Sequence, residues 1–276
     1  MLIRRRYVLS PLMVLFVLCL FAATGWAAGD KVVPQVADGP NLADGTHFRT
    51  RFDITNLGPY ESTRITRTVK LMFFRQNGDP WPIALRGRGV ATEVLLDLSA
   101  YQTVRIETDG ASPQLTSGYA IVRNMETQTS LFAEDYEVGV TVYYEVSKQG
   151  GVIDTVSVPI GQPTFVFMLP VQNAELQNLF SGLAMVNLAN FSNEITLELY
   201  PETPRRDSEG KAIPDQTVQL ILGPNEQITR FLVDSSLFPN HRTYKGVLRG
   251  WALGPVALLA LLQTPFSGGV QYATLV

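Results

Sequence analysis

The sequence predicts an all-β protein made of two tandem immunoglobulin-like β-sandwich units related by internal duplication. Three observations support this prediction. The 276-residue chain is 46% hydrophobic and only 17% charged, and its 22 Gly and 17 Pro recur at short intervals. Apolar and polar residues alternate with a period of two over many short segments. One long segment, residues 48–82, returns in altered form at residues 179–214.

The alternation is clearest where the first copy begins. Phe48, Phe52 and Ile54 fall on one side of an extended chain, and the residues between them are polar or charged. This is the pattern of a half-buried strand. A second strand follows around Leu71, and residues 77–80, Asn-Gly-Asp-Pro, form a turn.

The second copy repeats these features in the same order. Its opening residues Leu183, Met185 and Asn187 match Phe52, Ile54 and Asn56. The later matches are Ile195, Leu197, Leu199 and Tyr200 with Val69, Leu71, Phe73 and Phe74; Val218, Leu220 and Leu222 with Val94, Leu96 and Leu98; Ile228 with Val104; residues 246–248 with 118–120; and residues 255–262 with the strand around Phe132. Insertions fall only at turns, which indicates an internal duplication.

The N-terminus has the pattern of an export signal. Three arginines precede an apolar stretch of about a dozen residues, and small residues at Gly25 and Ala27 favour cleavage after Ala27. The resulting organisation is a signal peptide (1–27), a lead-in segment rich in turn residues (28–45), a first unit (46–170) and a second unit (171–276). We therefore expect a location in the periplasm, at the outer surface or outside the cell, without membrane insertion after cleavage.

Removing the leader changes the charge and the cysteine count. Of 22 basic residues, the three arginines leave, so 19 remain against 25 acidic ones. An acidic protein has no general electrostatic attraction for nucleic acid. Cys19, the single cysteine, also leaves, which excludes disulfides and zinc sites built on cysteine.

Several short motifs resemble a repeat family. They are Val-Pro-Gln-Val-Ala-Asp-Gly at 33–39, Gly-Tyr-Ala-Ile-Val at 118–122 and Gly-Leu-Ala-Met-Val-Asn at 182–187. Together they resemble tandem β-sandwich repeat proteins that environmental bacteria export. The resemblance implies paired β-sandwich units with a surface or secreted role. It implies no established activity and therefore no functional residues.

Motifs for catalysis are weak. His47 and His241 lie far apart, although a site made of histidine and carboxylate stays open. Residues 208–211 fit the letters of Ser-x-x-Lys but fall in a charged, Gly-containing loop. The acids Glu134, Asp135, Glu137 and Asp154 provide the alternative of a carboxylate pair. We interpret all of these as structural or solvated and expect no enzymatic activity and no cofactor.

Aromatic side chains at turns and on strands provide candidate contacts for a partner or a glycan. Trp81 is predicted at a hairpin tip, and one of the adjacent Tyr143 and Tyr144 must face away from the core. Tyr60 and Tyr101 lie on or near turns.

The last strand provides a different candidate. Residues 269–276 have high β propensity and no charge, so they either close their own sheet or pair with an open edge of another subunit through Val270, Tyr272, Thr274 and Val276.

These observations predict a non-enzymatic structural or interaction protein of the cell surface or envelope, and a subunit of a larger assembly or filament is one form that this role can take. Its expected partners are envelope or surface proteins, including itself. The alternative is a carbohydrate-binding module in which exposed aromatics contact a polysaccharide.

Overall fold

The computed structural model describes residues 30–58, 66–125, 138–266 and 269–275, and these ranges are almost entirely β. Within them the only helical element of three residues or more is a short 3-10 turn, Glu175–Gln177. The first half contains β1 (Lys31–Asn41), β2 (Thr46–Asn56), β3 (Arg67–Arg75), β4 (Ile83–Leu85), β5 (Gly89–Ala91), β6 (Glu93–Leu98), β7 (Thr103–Glu107), β8 (Thr116–Asn124), β9 (Val138–Lys148) and β10 (Gly151–Val158). The second half contains β11 (Thr164–Ala174), β12 (Phe180–Asn187), β13 (Asn193–Pro201), β14 (Gln216–Leu222), β15 (Gln227–Phe231), β16 (Thr243–Phe266) and β17 (Gly269–Leu275). The all-β prediction is confirmed.

In the first half, one large sheet curls over itself. The strand order is β10-β9-β2-β1-β8-β3-β6, with β7 also paired to β2. Strand β1 causes the curl, because residues 31–38 pair with β8 whereas residues 39–41 pair with β2. Phe52 and Phe73 meet edge to face in the core, with ring centroids 5.7 Å apart. The predicted lead-in segment is thus wrong in part, since most of it is a buried strand.

The second half is organised around β16, a strand of 24 residues. Val256 pairs with both Thr164 of β11 and Asn187 of β12, so these strands lie on opposite sides of β16. The sequence predicts two separate strands here, at 246–248 and 255–262, whereas the structure has one continuous strand. Pro255 does not end the strand because Asn193 Oδ1 accepts the Gly254 N–H and the Pro255 carbonyl accepts the Leu188 N–H.

The strand pairings of the two halves agree residue by residue. Val69 pairs with Leu96 as Ile195 pairs with Leu220, at the positions that the sequence had matched. The same agreement holds for Phe73–Ala120 and Leu199–Leu248, for Ile54–Val104 and Met185–Ile228, and for Phe52–Val142 and Leu183–Ala260. The last of these agreements corrects one match made from the sequence. Residues 255–262 pair with β12 as β9 pairs with β2, so their counterpart in the first half is β9. Phe132, near which the sequence had placed that counterpart, lies outside the described residues.

Side-chain contacts also recur. Thr50 Oγ1 bonds the backbone nitrogen and oxygen of Ala37, at 2.9 and 2.8 Å. Ser181 Oγ bonds the same two atoms of Gln172, at 2.9 and 3.0 Å. Each hydroxyl therefore holds the first strand of its half against the second.

The two halves meet through a buried contact. β11 pairs with β16, so the boundary by pairing lies between Val158 and Thr164, earlier than the predicted position 170. The contact contains an apolar cluster of six buried residues, namely Val32, Tyr119, Ile121, Val186, Leu188 and Ala257. Gln227 Nε2 adds hydrogen bonds to the carbonyl oxygens of Pro34 and Gly118.

Candidate functional site

Trp81 is not exposed, and its prediction as a surface contact is wrong. Its side chain is only 2% exposed. The Trp81 N–H donates to the Phe73 carbonyl, which folds the residue back over the sheet. The ring lies against Gly118, where an added Cβ would come within 2.8 Å of it, so the missing side chain of Gly118 makes room for the indole.

The predicted tyrosines differ in environment. Tyr144 is buried and donates its hydroxyl to the Gln35 carbonyl at 2.9 Å. Tyr143 is half-buried, with the Arg51 guanidinium 4.4 Å from its ring centroid. Tyr101 is 50% exposed and has a left-handed backbone, φ 61°. Tyr60 lies outside the described residues. Tyr101 is thus the predicted aromatic that the described part of the chain exposes most.

The last strand closes its own sheet. β17 pairs with β16, with Val270 opposite Pro265 and Thr274 opposite Leu261. On the other edge of β17, the Tyr272 N–H donates to Asp154 Oδ2 at 3.1 Å. Of the two alternatives, the structure shows the one in which this strand closes its own sheet, with β16 along one edge and Asp154 bonded to one donor of the other. Val276 lies outside the described residues.

The side chains considered for catalysis are dispersed. His47 lies on β2, whereas the His241 ring packs 4.9 Å from that of Tyr244 in the second half. Residues 208–211 form an exposed turn that Asp207 closes through the Lys211 N–H. Asp154 accepts backbone N–H groups of Thr155 and Tyr272. Glu134, Asp135 and Glu137 lie outside the described residues.

A cleft lies between the two halves. Its volume is about 380 Å³, within the usual range for small-molecule sites, and such sites favour domain boundaries. Its walls are aromatic and polar, including Phe48, Tyr144, Phe231 and Tyr272 together with Gln35, Gln76, Ser117, Thr229, Arg230, Asp234 and Gln263. Gln35 Oε1 and Thr229 Oγ1 are buried and have no hydrogen-bond partner among the residues that the structure describes. Sequence reasoning missed this cleft because residues about 200 positions apart form it.

Both tyrosines of the cleft stay neutral at physiological pH. Burial raises the pKa of Tyr272 to about 12, with a smaller contribution from the Asp44 carboxylate. Burial also raises the pKa of Tyr144 well above its usual value. Both hydroxyls therefore keep their protons, and that of Tyr144 is already donated to the Gln35 carbonyl.

The raised pKa of Tyr272 predicts a loss of stability in alkali. An unfolded tyrosine ionises near pH 10. The folded protein keeps Tyr272 neutral, so its contribution to stability is complete below about pH 10 and is lost as the pH rises through 12. An absorbance titration at 295 nm of the wild type and of Tyr272→Phe measures this ionisation. The ionisation step that is present in the wild type and missing from the variant should lie near pH 12 or coincide with unfolding. A removed step near pH 10 would contradict the buried position.

A second candidate surface is the outer face of the second sheet. We call it the Met168 face, formed by Val166, Met168, Val247, Arg249 and Trp251. Val166, Met168 and Val247 are 57%, 66% and 39% exposed. Arg249 lies over the Trp251 ring at 5.3 Å and pairs with Glu198 at 3.6 Å. The face thus combines exposed apolar area with one charge pair.

Comparison with known proteins gives no relative: neither a family model, nor a curated protein, nor a solved structure matches this chain. Among the described residues no helix is long and apolar enough to cross a membrane. The same ranges contain no group of three or more His, Cys, Asp or Glu side chains placed to hold a metal ion.

Proposed function

We propose that this chain is an exported, non-enzymatic structural or interaction protein of the cell surface or envelope. We further propose that its two halves are immunoglobulin-like units that arose by duplication. The export part of the proposal depends on the N-terminal pattern of arginines, apolar residues and small residues. The interaction part depends on the Met168 face.

The duplication is supported by contacts too specific to follow from alternation alone. Asn56 Nδ2 donates to the Leu98 carbonyl, and Asn187 Nδ2 donates to the Leu222 carbonyl. In each half the asparagine Oδ1 also accepts the backbone N–H two residues later. Two sandwiches of independent origin would have no reason to use the same side chain for the same pair of bonds.

The observation that carries the interaction role is the exposed apolar area on the Met168 face. Met168 and Val166 stand on β11 beside Val247 on β16, and all three side chains are exposed. Contiguous apolar surface on a folded protein typically marks a contact site. Along a strand of a sandwich protein, apolar residues that face inward normally alternate with polar residues that face outward. Strand β11 departs from this rule because its outward residues Val166 and Met168 are apolar.

The environment of the buried acid Asp38 indicates a structural role for this side chain and not a catalytic one. Asp38 is fully buried, and its two oxygens accept the N–H groups of Gly110 and Ser112 at 2.7 and 3.0 Å. A carboxylate held in this way fixes a loop against β1.

Photo-crosslinking tests the interaction role. A benzophenone amino acid at position 168 should capture a protein in the native envelope fraction. The same group at position 90, where Val90 is 71% exposed on β5, serves as the control. We expect adducts at position 168 at least several-fold above those at 90. Equal labelling at both positions, or none at either, would remove the Met168 face as an interaction surface.

The cleft favours a second candidate function, binding of a saccharide. Its aromatic walls can stack on a sugar ring, and the unpartnered Gln35 Oε1 and Thr229 Oγ1 can bond hydroxyl groups. Trp81 is buried, so this candidate now depends on Phe231, which is 41% exposed at the cleft. Phe231→Ala should abolish binding in a glycan array, whereas Phe191→Ala, at a site outside the cleft that is 47% exposed, should not. Array binding that survives Phe231→Ala would eliminate the cleft as the site.

A further inference from the structure

Strand β14 forms one end of the second sheet and carries no charged side chain. It has β13 along one edge, and the part of the chain that the structure describes places no strand along the other. Residues 164–266 are described without a gap, so the chain segments on both sides of β14 are included. The seven residues Gln216–Leu222 contain neither Pro nor Gly. The outer edge of β14 therefore offers backbone N–H and C=O groups to another strand.

The other outer strands of the two large sheets carry features that normally prevent such pairing. Strand β6, the counterpart of β14 in the first half, exposes Glu93 and Asp97. Strand β10 has a register shift between Val152 and Asp154, and Asp154 bonds the Tyr272 N–H of β17. The remaining outer strands are β7 with Arg105 and Glu107, β11 with Pro170, and β15 with Arg230. Among the described strands, β14 is thus the outer strand that lacks these features.

The edge of β14 fits a second copy of itself. Antiparallel pairing centred on Gln219, the middle residue, brings Gln219 opposite Gln219 and Thr217 opposite Ile221, and all three side chains are exposed in the single chain. On the inward side Val218 comes opposite Leu220, and both are only partly buried against the core of the second half, so the pairing covers them further. No like charges are opposed, and the two Gln219 amides can bond each other. A different protein would need an unprotected edge of its own, whereas a second copy supplies one.

The acidic side chains beside β14 are either paired or distant from the contact. Glu198 of β13 lies 3.6 Å from Arg249, and Asp215, just before β14, lies 3.8 Å from Arg205. Glu194 is exposed on β13. In the paired edges the two copies of β13 are three strand spacings apart, about 14 Å, which exceeds the screening length of about 8 Å at physiological ionic strength. Repulsion between the acids of the two copies is therefore weak.

We propose that two copies of this chain pair antiparallel along β14 and form a two-fold symmetric dimer. Each copy uses the same surface, so the contact closes at two chains and does not extend into a fibre. The register aligns Met168 with Arg249, Glu198 and Thr217 on one side of the second sheet. Because antiparallel pairing keeps that side common to both copies, the dimer presents two Met168 faces on the same side. This last consequence rests on the proposed interaction role, whereas the dimer itself does not.

Sedimentation velocity of the purified chain tests the dimer with two variants of opposite charge. A contact of seven residues a side is small, so the wild type should be dimeric at about 100 μM and dissociate at about 1 μM. Gln219→Lys and Gln219→Glu each oppose like charges and should be monomeric at the higher concentration. Their equimolar mixture should be dimeric again, because Lys then lies opposite Glu. The control Leu95→Lys, at a 59% exposed position of the outer strand β6, should dimerise as the wild type does.

Four outcomes would overturn the inference: a monomeric wild type at the higher concentration, wild-type species larger than a dimer, a dimeric Gln219→Lys, or a mixture that stays monomeric. Recovery of the dimer in the mixture also shows that both variants fold. The result is separable from the proposed interaction role, since Met168→Glu should dimerise normally. A chain that dimerises but captures no protein at position 168 would exclude that role and leave the dimer intact.

Discussion

Replacing Asn187 by Ala is expected to lower the free energy of unfolding by about 3–5 kcal/mol. The two hydrogens of its Nδ2 are shared among the carbonyls of Phe191, Leu222 and Gly223, which lie at 2.9, 3.1 and 2.8 Å. Its Oδ1 accepts from Ala189 N and Asn193 Nδ2. Because Asn187 is fully buried, alanine would leave several of these backbone groups without a partner or water.

Urea unfolding of the variant measures this loss. Asn190→Ala, an exposed neighbour three residues away, is the matched control and should change stability by less than about 0.5 kcal/mol. A loss below about 1 kcal/mol for Asn187→Ala would show that water replaces the side chain easily. The hydrogen bonds by which Asn187 joins the end of β12 to the end of β14 would then contribute little to the stability of the fold.

Gly246→Ala is the second change with a large expected effect. A Cβ at this position would lie 2.0 Å from the carbonyl oxygen of Tyr200, a backbone atom of the neighbouring strand β13. The strands must separate to admit it, so we expect a loss of about 3 kcal/mol or more. Gly118, the matched glycine of the first half, would place its Cβ 2.1 Å from the Phe74 carbonyl oxygen, so Gly118→Ala should be similarly harmful.

Thermal denaturation compares these variants with Gly151→Ala. Gly151 begins β10, and an added Cβ there would meet its nearest atom at 3.8 Å, so that variant should melt near the wild-type temperature. Equal melting temperatures for Gly246→Ala and Gly151→Ala would mean that β13 and β16 do not approach as closely as described.

Much of the fold was predictable because strand alternation is local. A period of two identifies which residues of β2, β3, β12 and β13 face inward, whatever their partners are. The sequence also matched Val69 with Ile195 and Leu96 with Leu220, and the structure pairs Val69 with Leu96 in the first half as it pairs Ile195 with Leu220 in the second.

The errors concern contacts between distant residues. Trp81 appeared to lie exposed at a hairpin tip, and nothing nearby in sequence shows that Gly118 leaves space for its ring. β1 appeared to be a lead-in segment because Pro34, Gly39 and Pro40 interrupt it. The structure uses that interruption to move the strand from β8 to β2. Turn residues can thus redirect a strand as well as end it.

The Met168 face did have a signal in the sequence. Residues 165–171 are apolar at successive positions, Phe-Val-Phe-Met-Leu-Pro-Val, so both sides of that strand are apolar. A strand of this kind is normally covered on both faces. The inward residues Phe167 and Leu169 are buried, whereas the outward Val166 and Met168 are not.

Retention of a partner by the immobilised chain tests most directly the central claim that the Met168 face is an interaction surface. The wild-type protein and the Val90→Glu control, changed at a site that is 71% exposed, should retain the same protein from the native envelope fraction. Met168→Glu places a charge within the exposed apolar area and should retain several-fold less of that protein, at an unchanged melting temperature. Equal retention by Met168→Glu and Val90→Glu would contradict the claim.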